Sequence, residues 1–307
     1  MLQDEHLEFF FEGSIDLMCI AGADGYFKRV NPAFTKALGW TAEELLAKPF
    51  IEFVHPADRE RTVIEVRRLA SGIDTVYFEN RYRKKDGSWA WLGWTCPAAT
   101  PENALLYAVA RDISEQKKIQ ERLVQLATYD SLTGLANRAL FLDEAARAAS
   151  RCNRTRTGMA VLYIDLDGFK PINDELGHDA GDAVLREAAQ RIASCIRDGD
   201  LAARLGGDEF ATILQGSAAY PRTVAQRMIE AIGQPIAVHG RTCQLSASIG
   251  LAISDVAPPP NDVEQLIKCA DIAMYDAKRG GGNRYVVYAP QSETVNPECN
   301  AFHLISA

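Results

Sequence analysis

Met159-Ala160-Val161-Leu162-Tyr163-Ile164-Asp165-Leu166-Asp167-Gly168-Phe169-Lys170 decides how the second half of the chain folds. The apolar run from Met159 to Leu166 reads as a buried strand. The strand ends in two acids, and on a strand Asp165 and Asp167 point to the same face. Two carboxylates at one strand end repel each other unless a cation joins them. Mg²⁺ takes oxygen ligands and is usually held by one or two carboxylates plus substrate phosphates. The backbone N–H groups of Gly168, Phe169 and Lys170 can cradle phosphate oxygens, and Lys170 adds a point charge. An acidic turn facing water has the same composition, so this stretch alone leaves both readings open.

Working outward, Ala139 to Ala149 reads as a helix, and Gly181 to Arg197 as a long amphipathic one with Val184, Leu185, Ala188, Ile192 and Ile196 on one face. Leu201–Leu205 and Phe210–Leu214 read as short strands joined by Gly206-Gly207-Asp208-Glu209. Glycines there permit positive φ and close approach of a ligand to the backbone. A solvent-facing hairpin is the simpler reading, but two acids at its tip can also complete a metal site begun by Asp165. Pro221–Ile232 and Asp262–Lys278 follow as helices, with Thr242–Ile253 and Tyr285–Tyr288 as strands. That order predicts an antiparallel sheet with helices on one side.

The first segment, 9–113, reads as strands around short helices. Leu17-Met18-Cys19-Ile20 is a short apolar run, Ala23-Asp24-Gly25 a turn, and Tyr26 to Val30 alternates again. Pro32 opens a helix. Thr75 to Arg83 alternates, Lys84-Lys85-Asp86-Gly87 suits a hairpin turn, and Trp89, Trp91 and Leu105–Val109 continue the sheet. Residues 114–128 lack Gly and Pro. Ile119, Leu123 and Leu126 form one apolar seam with charged flanks, so this helical linker can pair with its copy as a short coiled coil; a solvated connector helix is the alternative. The expected fold class is α+β, with domains at 9–113 and 129–290, and a tail at 291–307 that shows no periodicity and is expected to be loose.

Composition narrows the function. The 307 residues suit about two domains of roughly 150 each. Lys and Arg number 33 against 41 Asp and Glu, a formal charge of −8, which argues against nucleic acid as a partner. No run nears ~18 apolar residues, so no membrane span is expected. The acidic start, Met1-Leu2-Gln3-Asp4-Glu5-His6, lacks the basic and apolar regions of a secretion signal. Seven scattered cysteines without a CxxC pair fit reduced thiols, and the expected location is the cytoplasm.

Asp24-Gly25-Tyr26-Phe27, Val30-Asn31-Pro32-Ala33-Phe34, Leu38-Gly39-Trp40, His55-Pro56-Ala57-Asp58-Arg59, Lys85-Asp86-Gly87-Ser88 and Arg111-Asp112-Ile113-Ser114-Glu115, in that order, resemble a PAS domain. His55 suggests haem by residue type alone, and no cysteine between Gly39 and Phe50 offers a flavin adduct, so no organic cofactor is assured for this domain. Trp89, Trp91 and Trp94 are expected to pack the sheet or a dimer interface. An apolar ligand stays open.

In the second domain, Asp130-Ser131-Leu132-Thr133-Gly134-Leu135-Ala136-Asn137-Arg138 resembles the DxLTGLxNR motif of the GGDEF family of diguanylate cyclases. Asp165 to Asp174 resembles its DxDxFKxIND motif, Gly177 to Asp182 its GHxxGD motif, and Gly206 to Phe210 is similar to the signature hairpin itself. The resemblance implies a palm-like domain, a central antiparallel sheet flanked by helices, in which two GTP molecules on two subunits are joined into cyclic di-GMP. It implies Mg²⁺, or Mn²⁺, on Asp165, Asp208 and the Leu166 carbonyl, with Asp208 and Glu209 in the catalytic set. It implies nucleotide contacts from Phe169, Lys170, Asn173, His178, Asp182 and Lys278, with Asn173 and Asp182 reading guanine. Arg197 and Asp200 match an inhibitory product-binding RxxD motif, and Arg227 is a second contact. It also implies a homodimer through the PAS domain and the linker helix. Gly282 stands where the family often has a phosphate-binding arginine, so either Arg279 or Arg284 substitutes or GTP binds more weakly. A catalytically inactive receptor for cyclic di-GMP or GTP is the alternative function.

Overall fold

In the computed structural model, which describes residues 2–22, 24–98, 105–216, 219–238, 240–254 and 263–289, the Met159 run is a nine-residue strand buried almost to its end. The described residues form two compact units, one reaching Leu123 and the other beginning at Val124.

The first unit opens with helix α1 (Leu2–Gly13), followed by strands β1 (Leu17–Gly22) and β2 (Phe27–Val30). Helices α2 (Pro32–Leu38), α3 (Ala42–Leu46) and α4 (Arg59–Ala70) lead to β3 (Thr75–Arg83), β4 (Trp89–Cys96) and β5 (Leu105–Asp112). Helix α5 (Ser114–Thr128) leaves the sheet and crosses the boundary between the units. The strands form one sheet in the order β2-β1-β5-β4-β3, every pair antiparallel. Local chemistry fixes the short helices. Pro32 starts α2, and Gly39 at φ +78° ends it in the left-handed region that glycine tolerates. Thr41 and Glu44 form a capping box on α3. Asp58, buried in the His-Pro-Ala-Asp-Arg stretch, takes the Arg81 guanidinium with both oxygens at 2.8 Å.

The predicted turn at Lys84–Gly87 forms, with Gly87 at φ +90°. His55 accepts from the Ala57 amide and packs edge-on against Trp89, at 4.5 Å between ring centres. Trp94 lies in the core and donates to Asn80. Helix α1 was not anticipated. Its Leu7, Phe9 and Phe10 are exposed, so it lacks the buried stripe that marks a helix in sequence. Along α5 the seam residues Ile119, Leu123 and Leu126 are likewise exposed. Ala23 of the expected first turn lies outside the described residues, as do the tail 291–307 and Cys299. The six described cysteines are free thiols.

The second unit runs α6 (Arg138–Thr155), β6 (Met159–Asp167), α7 (Phe169–Leu176), α8 (His178–Ser194), β7 (Leu201–Gly206) and β8 (Glu209–Gln215). Then come α9 (Ala219–Ile232), β9 (Ile236–Val238), β10 (Arg241–Cys243), β11 (Ser246–Ser254), α10 (Val263–Arg279) and β12 (Arg284–Val287). The main sheet has the order β12-β11-β6-β8-β7. It is antiparallel throughout except that β12 adds parallel to β11.

Two expectations need correction. The helices cover both faces of the sheet, not one side. Ala160, Leu162, Ile164 and Leu166 pack with residues of α8 and α9, whereas Met159, Val161 and Tyr163 pack with residues of α6 and α10. A strand buried on both sides has no polar face, which is why its apolar run is unbroken. The strand expected over Thr242–Ile253 divides at Gln244-Leu245: β10 pairs with β9 in a separate two-stranded ribbon, and only β11 joins the main sheet.

Close packing of α10 on β11 depends on Gly250. A Cβ there would lie 1.9 Å from the Ala270 carbonyl oxygen and 2.2 Å from the Met274 nitrogen. Neither backbone atom can yield without moving the helix. Gly250→Ala is therefore expected to destabilise the second unit by about 3 kcal/mol or more, beyond ordinary overpacking. Urea unfolding followed by far-UV circular dichroism measures this.

Candidate active site

The middle of the sheet brings two distant acidic segments together. In the β6–β8 pairing, Asp165 lies opposite Glu209, and the Leu166 amide donates to the Asp208 carbonyl at 3.2 Å. The β7–β8 hairpin tip therefore sits against the end of β6. Gly207 adopts φ +51° at that tip. Arg204 fastens the tip from outside. Its guanidinium donates to the Gly207 carbonyl at 3.0 and 2.8 Å and to both oxygens of Asp130 at 3.2 Å. Asp130 also accepts from the Thr133 amide and hydroxyl. The opening motif thus braces the hairpin, a link no local pattern announces.

The two strand-end aspartates differ sharply. Asp167 is satisfied: it accepts from Ser246 at 2.9 Å, Ser248 at 2.8 Å and the Asn283 amide at 3.1 Å. Asp165 is only 5% exposed. Its Oδ2 takes the Lys278 ammonium at 2.7 Å, while its Oδ1 is buried without a hydrogen-bond partner among the described residues. Burial pushes the Asp165 carboxyl up, Lys278 pulls it down, and the carboxylates of Asp208 and Asp167 push it up again; the net shift is upward. A buried carboxylate oxygen without a partner is costly. That oxygen, beside the Asp208 carboxylate, fits a divalent cation. Among the described residues no group of three His, Cys, Asp or Glu side chains is arranged to hold a metal. A cation here would complete its shell with the Leu166 carbonyl, water or phosphate oxygens.

Glu209 lies on the α6/α10 face of the sheet. The Tyr163 hydroxyl donates to its Oε2 at 3.1 Å. Burial raises the Glu209 carboxyl, Tyr163 lowers it, and Asp165, Asp271 and Asp208 raise it further. Asp271 is itself raised by burial and lowered by Arg138. Sequence reading missed Tyr163 and Asp271. Alternation along β6 carried the signal for Tyr163, which shares a face with Asp165.

Beyond β6, Gly168 at φ +81° turns the chain into α7, whose start has no side-chain cap. Its first amides, with exposed Lys170, are thus available to an anion. Asn173 and His178 meet: Asn173 Oδ1 and His178 Nδ1 are 3.1 Å apart. Gly181 permits this approach, since a Cβ there would lie 2.4 Å from Asn173 Oδ1. Asp182 follows His178 by one helical turn, 3.8 Å from Arg186. Gly282 has φ +70°, and a Cβ would lie 2.9 Å from Asp167 Oδ2, so an arginine cannot simply be restored there. Arg284 donates to the Gly282 carbonyl at 3.2 Å and lies in one cross-strand row with Ser248 and Asp165. Arg279 ends α10, exposed.

Arg197, Asp200 and Arg227 gather at the end of α8. Arg227 donates to the Cys195 carbonyl and Arg197 to the Gln215 carbonyl. Asp200 accepts from the Gln215 amide at 3.2 Å and the Tyr220 hydroxyl at 2.6 Å.

The family model described as the diguanylate cyclase GGDEF domain matches residues 127–284, and one described as the PAS fold matches 27–107. The chain is 34% identical over 296 residues to the probable diguanylate cyclase DgcE of Escherichia coli, covering 90% of this chain and 25% of DgcE. It is 41% identical over 175 residues to the cyclic di-GMP phosphodiesterase NbdA of Pseudomonas aeruginosa, covering 55% of this chain and 22% of NbdA. The coiled coil and GGDEF domain of DgcB from Caulobacter crescentus, solved with cyclic di-GMP, superposes with a TM-score of 0.53 at 30% identity, covering 57% of this chain and 93% of that one. The chain spans 34% and 25% of the length of the first two curated relatives.

The raised Asp165 carboxyl sets a sign for stability. The unfolded chain loses this proton first, so a stability cost builds between the ordinary carboxylate value and the raised folded one, and is complete above it. Asp165→Asn is expected to stabilise the metal-free protein at pH 7 by roughly 1 kcal/mol, about 2–4 °C in Tm for a unit this size. The gain should vanish at acid pH. Differential scanning calorimetry at both pH values checks it.

Proposed function

The chain belongs to the GGDEF family of diguanylate cyclases, with a PAS fold ahead of the GGDEF domain, and from that premise we propose that it condenses two GTP molecules into cyclic di-GMP and two pyrophosphates. The observation that carries this reading is the unpartnered Oδ1 of buried Asp165 beside the intact Gly206–Phe210 hairpin. A receptor for cyclic di-GMP alone has no use for a cation site at Asp165, whereas a triphosphate held for transfer does. NbdA's name describes hydrolysis, but it belongs to a protein of which this chain covers 22%.

Asp165, Asp208 and the Leu166 carbonyl would hold magnesium or manganese, which would supply the charge that offsets the triphosphate and the leaving pyrophosphate. The chain's own residues bind and orient. The first amides of α7 and Lys170 hold phosphate oxygens. Lys278, bonded to Asp165 in the free chain, is a flexible four-carbon arm that turns to the β- and γ-phosphates when Asp165 is otherwise neutralised. Arg284, rather than Arg279, takes the place of the missing arginine, because it shares the Asp165 row across the sheet. Asn173 and Asp182 present an amide and a carboxylate to the guanine edge, with His178 beside them. Tyr163 holds Glu209 in place.

One site holds one nucleotide, so two copies must face each other to align each 3′-hydroxyl with the partner's α-phosphate. That alignment is the larger part of the catalysis. The exposed Ile119, Leu123 and Leu126 seam of the 114–128 linker suits such a pairing, with the 9–113 domain biasing it in response to its signal. Product returning to Arg197, Asp200 and Arg227 restrains turnover. Among the described residues no helix is long and apolar enough to cross a membrane, and the reaction we propose draws on cytoplasmic GTP.

Purified protein given GTP and Mg²⁺ is expected to form cyclic di-GMP, and Asp208→Ala to lower the rate by more than about a hundredfold. Chromatography of labelled GTP products checks both. Product made by Asp208→Ala at near wild-type rate overturns the assignment.

A further inference from the structure

The residues read above as the product site are not free in this chain. Asp200 has a side chain 1% exposed, and both of its oxygens are engaged. Oδ1 accepts from the Gln215 amide at 3.2 Å, and Oδ2 accepts from the Tyr220 hydroxyl at 2.6 Å. The Arg197 guanidinium lies 4.2 Å from the centre of the Tyr220 ring, stacked on it, and donates to the Gln215 carbonyl. Tyr220 therefore touches both residues of the motif, one with its hydroxyl and one with its ring.

We propose that Tyr220 is an affinity-setting latch on this site: it occupies the Asp200 oxygen and the Arg197 face that a guanine base would take. The proposal rests on the reading of Arg197 and Asp200 as the product site. A guanine offers N–H donors on one edge and a flat π-face, which is the same pair of features that Tyr220 supplies. Asp200 also accepts from the Arg197 amide at 3.4 Å, so a base can reach this deeply buried carboxylate only by displacing one of its donors, and neither backbone amide is free to move. The Gln215 amide belongs to strand β8 and cannot leave without breaking the sheet. Tyr220 is the second residue of α9, and its side chain can swing out by rotation about χ1. Burial and the neighbouring Asp200 carboxylate both raise its phenol, so it remains a donor across the physiological range.

Binding then exchanges one donor and one stacking partner for another. Affinity is reduced by the small fraction of molecules in which the latch is open. Tyr220→Phe keeps the ring on Arg197 but leaves Oδ2 of Asp200 with only the longer contacts from Arg197, the amide at 3.4 Å and the guanidinium at 3.7 Å, and a guanine N–H would restore the short bond. Removing a competing hydrogen bond to a charged group is expected to tighten cyclic di-GMP binding about tenfold.

Isothermal titration of cyclic di-GMP into the 307-residue wild-type chain, Tyr220→Phe and Arg197→Ala tests this. The expected result is binding by wild type, about tenfold tighter binding by Tyr220→Phe, and loss of binding by Arg197→Ala. Inhibition of GTP turnover should set in at correspondingly lower product concentration in Tyr220→Phe. If Arg197→Ala loses binding while Tyr220→Phe binds as wild type or more weakly, the latch is overturned and the product site stands. If Arg197→Ala binds as tightly as wild type, or wild type does not bind, the product site falls and the latch with it.

Discussion

A buried carboxylate with an unpartnered oxygen governs the second domain. Asp165 sits at the end of a strand covered on both faces, within electrostatic reach of the carboxylates of Asp208 and Asp167, and among the described residues only Lys278 offsets its charge. Alone, that arrangement costs stability, because burial disfavours the charged form and like charges repel. Fixing Asp165 in the central strand β6 makes it rigid, since β8 and β11 hold that strand from both sides. The proposed divalent cation would offset the negative charge that the fold leaves uncompensated.

The surrounding residues follow from that constraint. Asp167 is tied down by Ser246, Ser248 and Asn283, so the second acid of the pair braces the loop instead of competing for the cation. Arg204, itself held by Asp130, fixes the hairpin that brings Asp208 alongside. Gly181 lets Asn173 and His178 meet, and Gly250 lets the helix bearing Lys278 lie flat on β11. In each case a small or rigid residue away from the reacting groups sets where a functional one can stand. The Tyr220 latch applies the same economy at the other end of α8, where a side chain rather than a ligand satisfies Asp200.

Much of this was legible in sequence where the signal is local. The strand before Asp165, the Gly-Gly-Asp-Glu turn, the Pro32 helix start and the Asp86-Gly87 turn each rest on a few adjacent residues. Coverage of both sheet faces is present in the same apolar run, in which Met159, Val161 and Tyr163 alternate with Ala160, Leu162 and Ile164 without a polar face between them, but the order of helices and strands alone does not reveal it. The Asp130–Arg204 pair joins positions 74 apart in the chain, and Tyr220 reaches Asp200 across 20 residues. Such contacts depend on how the strands are ordered, which spacing along one sequence does not encode. Helix α1 leaves no such signal, because Leu7, Phe9 and Phe10 are exposed and do not form the buried periodicity that reveals a helix.

The central claim is that Asp165 and Asp208 share a divalent ion that holds guanosine triphosphate. Crystals grown with Mn²⁺ and a non-hydrolysable GTP analogue, with anomalous scattering recorded for manganese, test it most directly. The account predicts a manganese peak within direct ligand distance of Asp165 Oδ1 and an Asp208 oxygen, about 2–2.4 Å from each, with Lys278 moved onto the phosphates. Nucleotide bound with Asp165 still on Lys278 and no anomalous peak between the two carboxylates would contradict it.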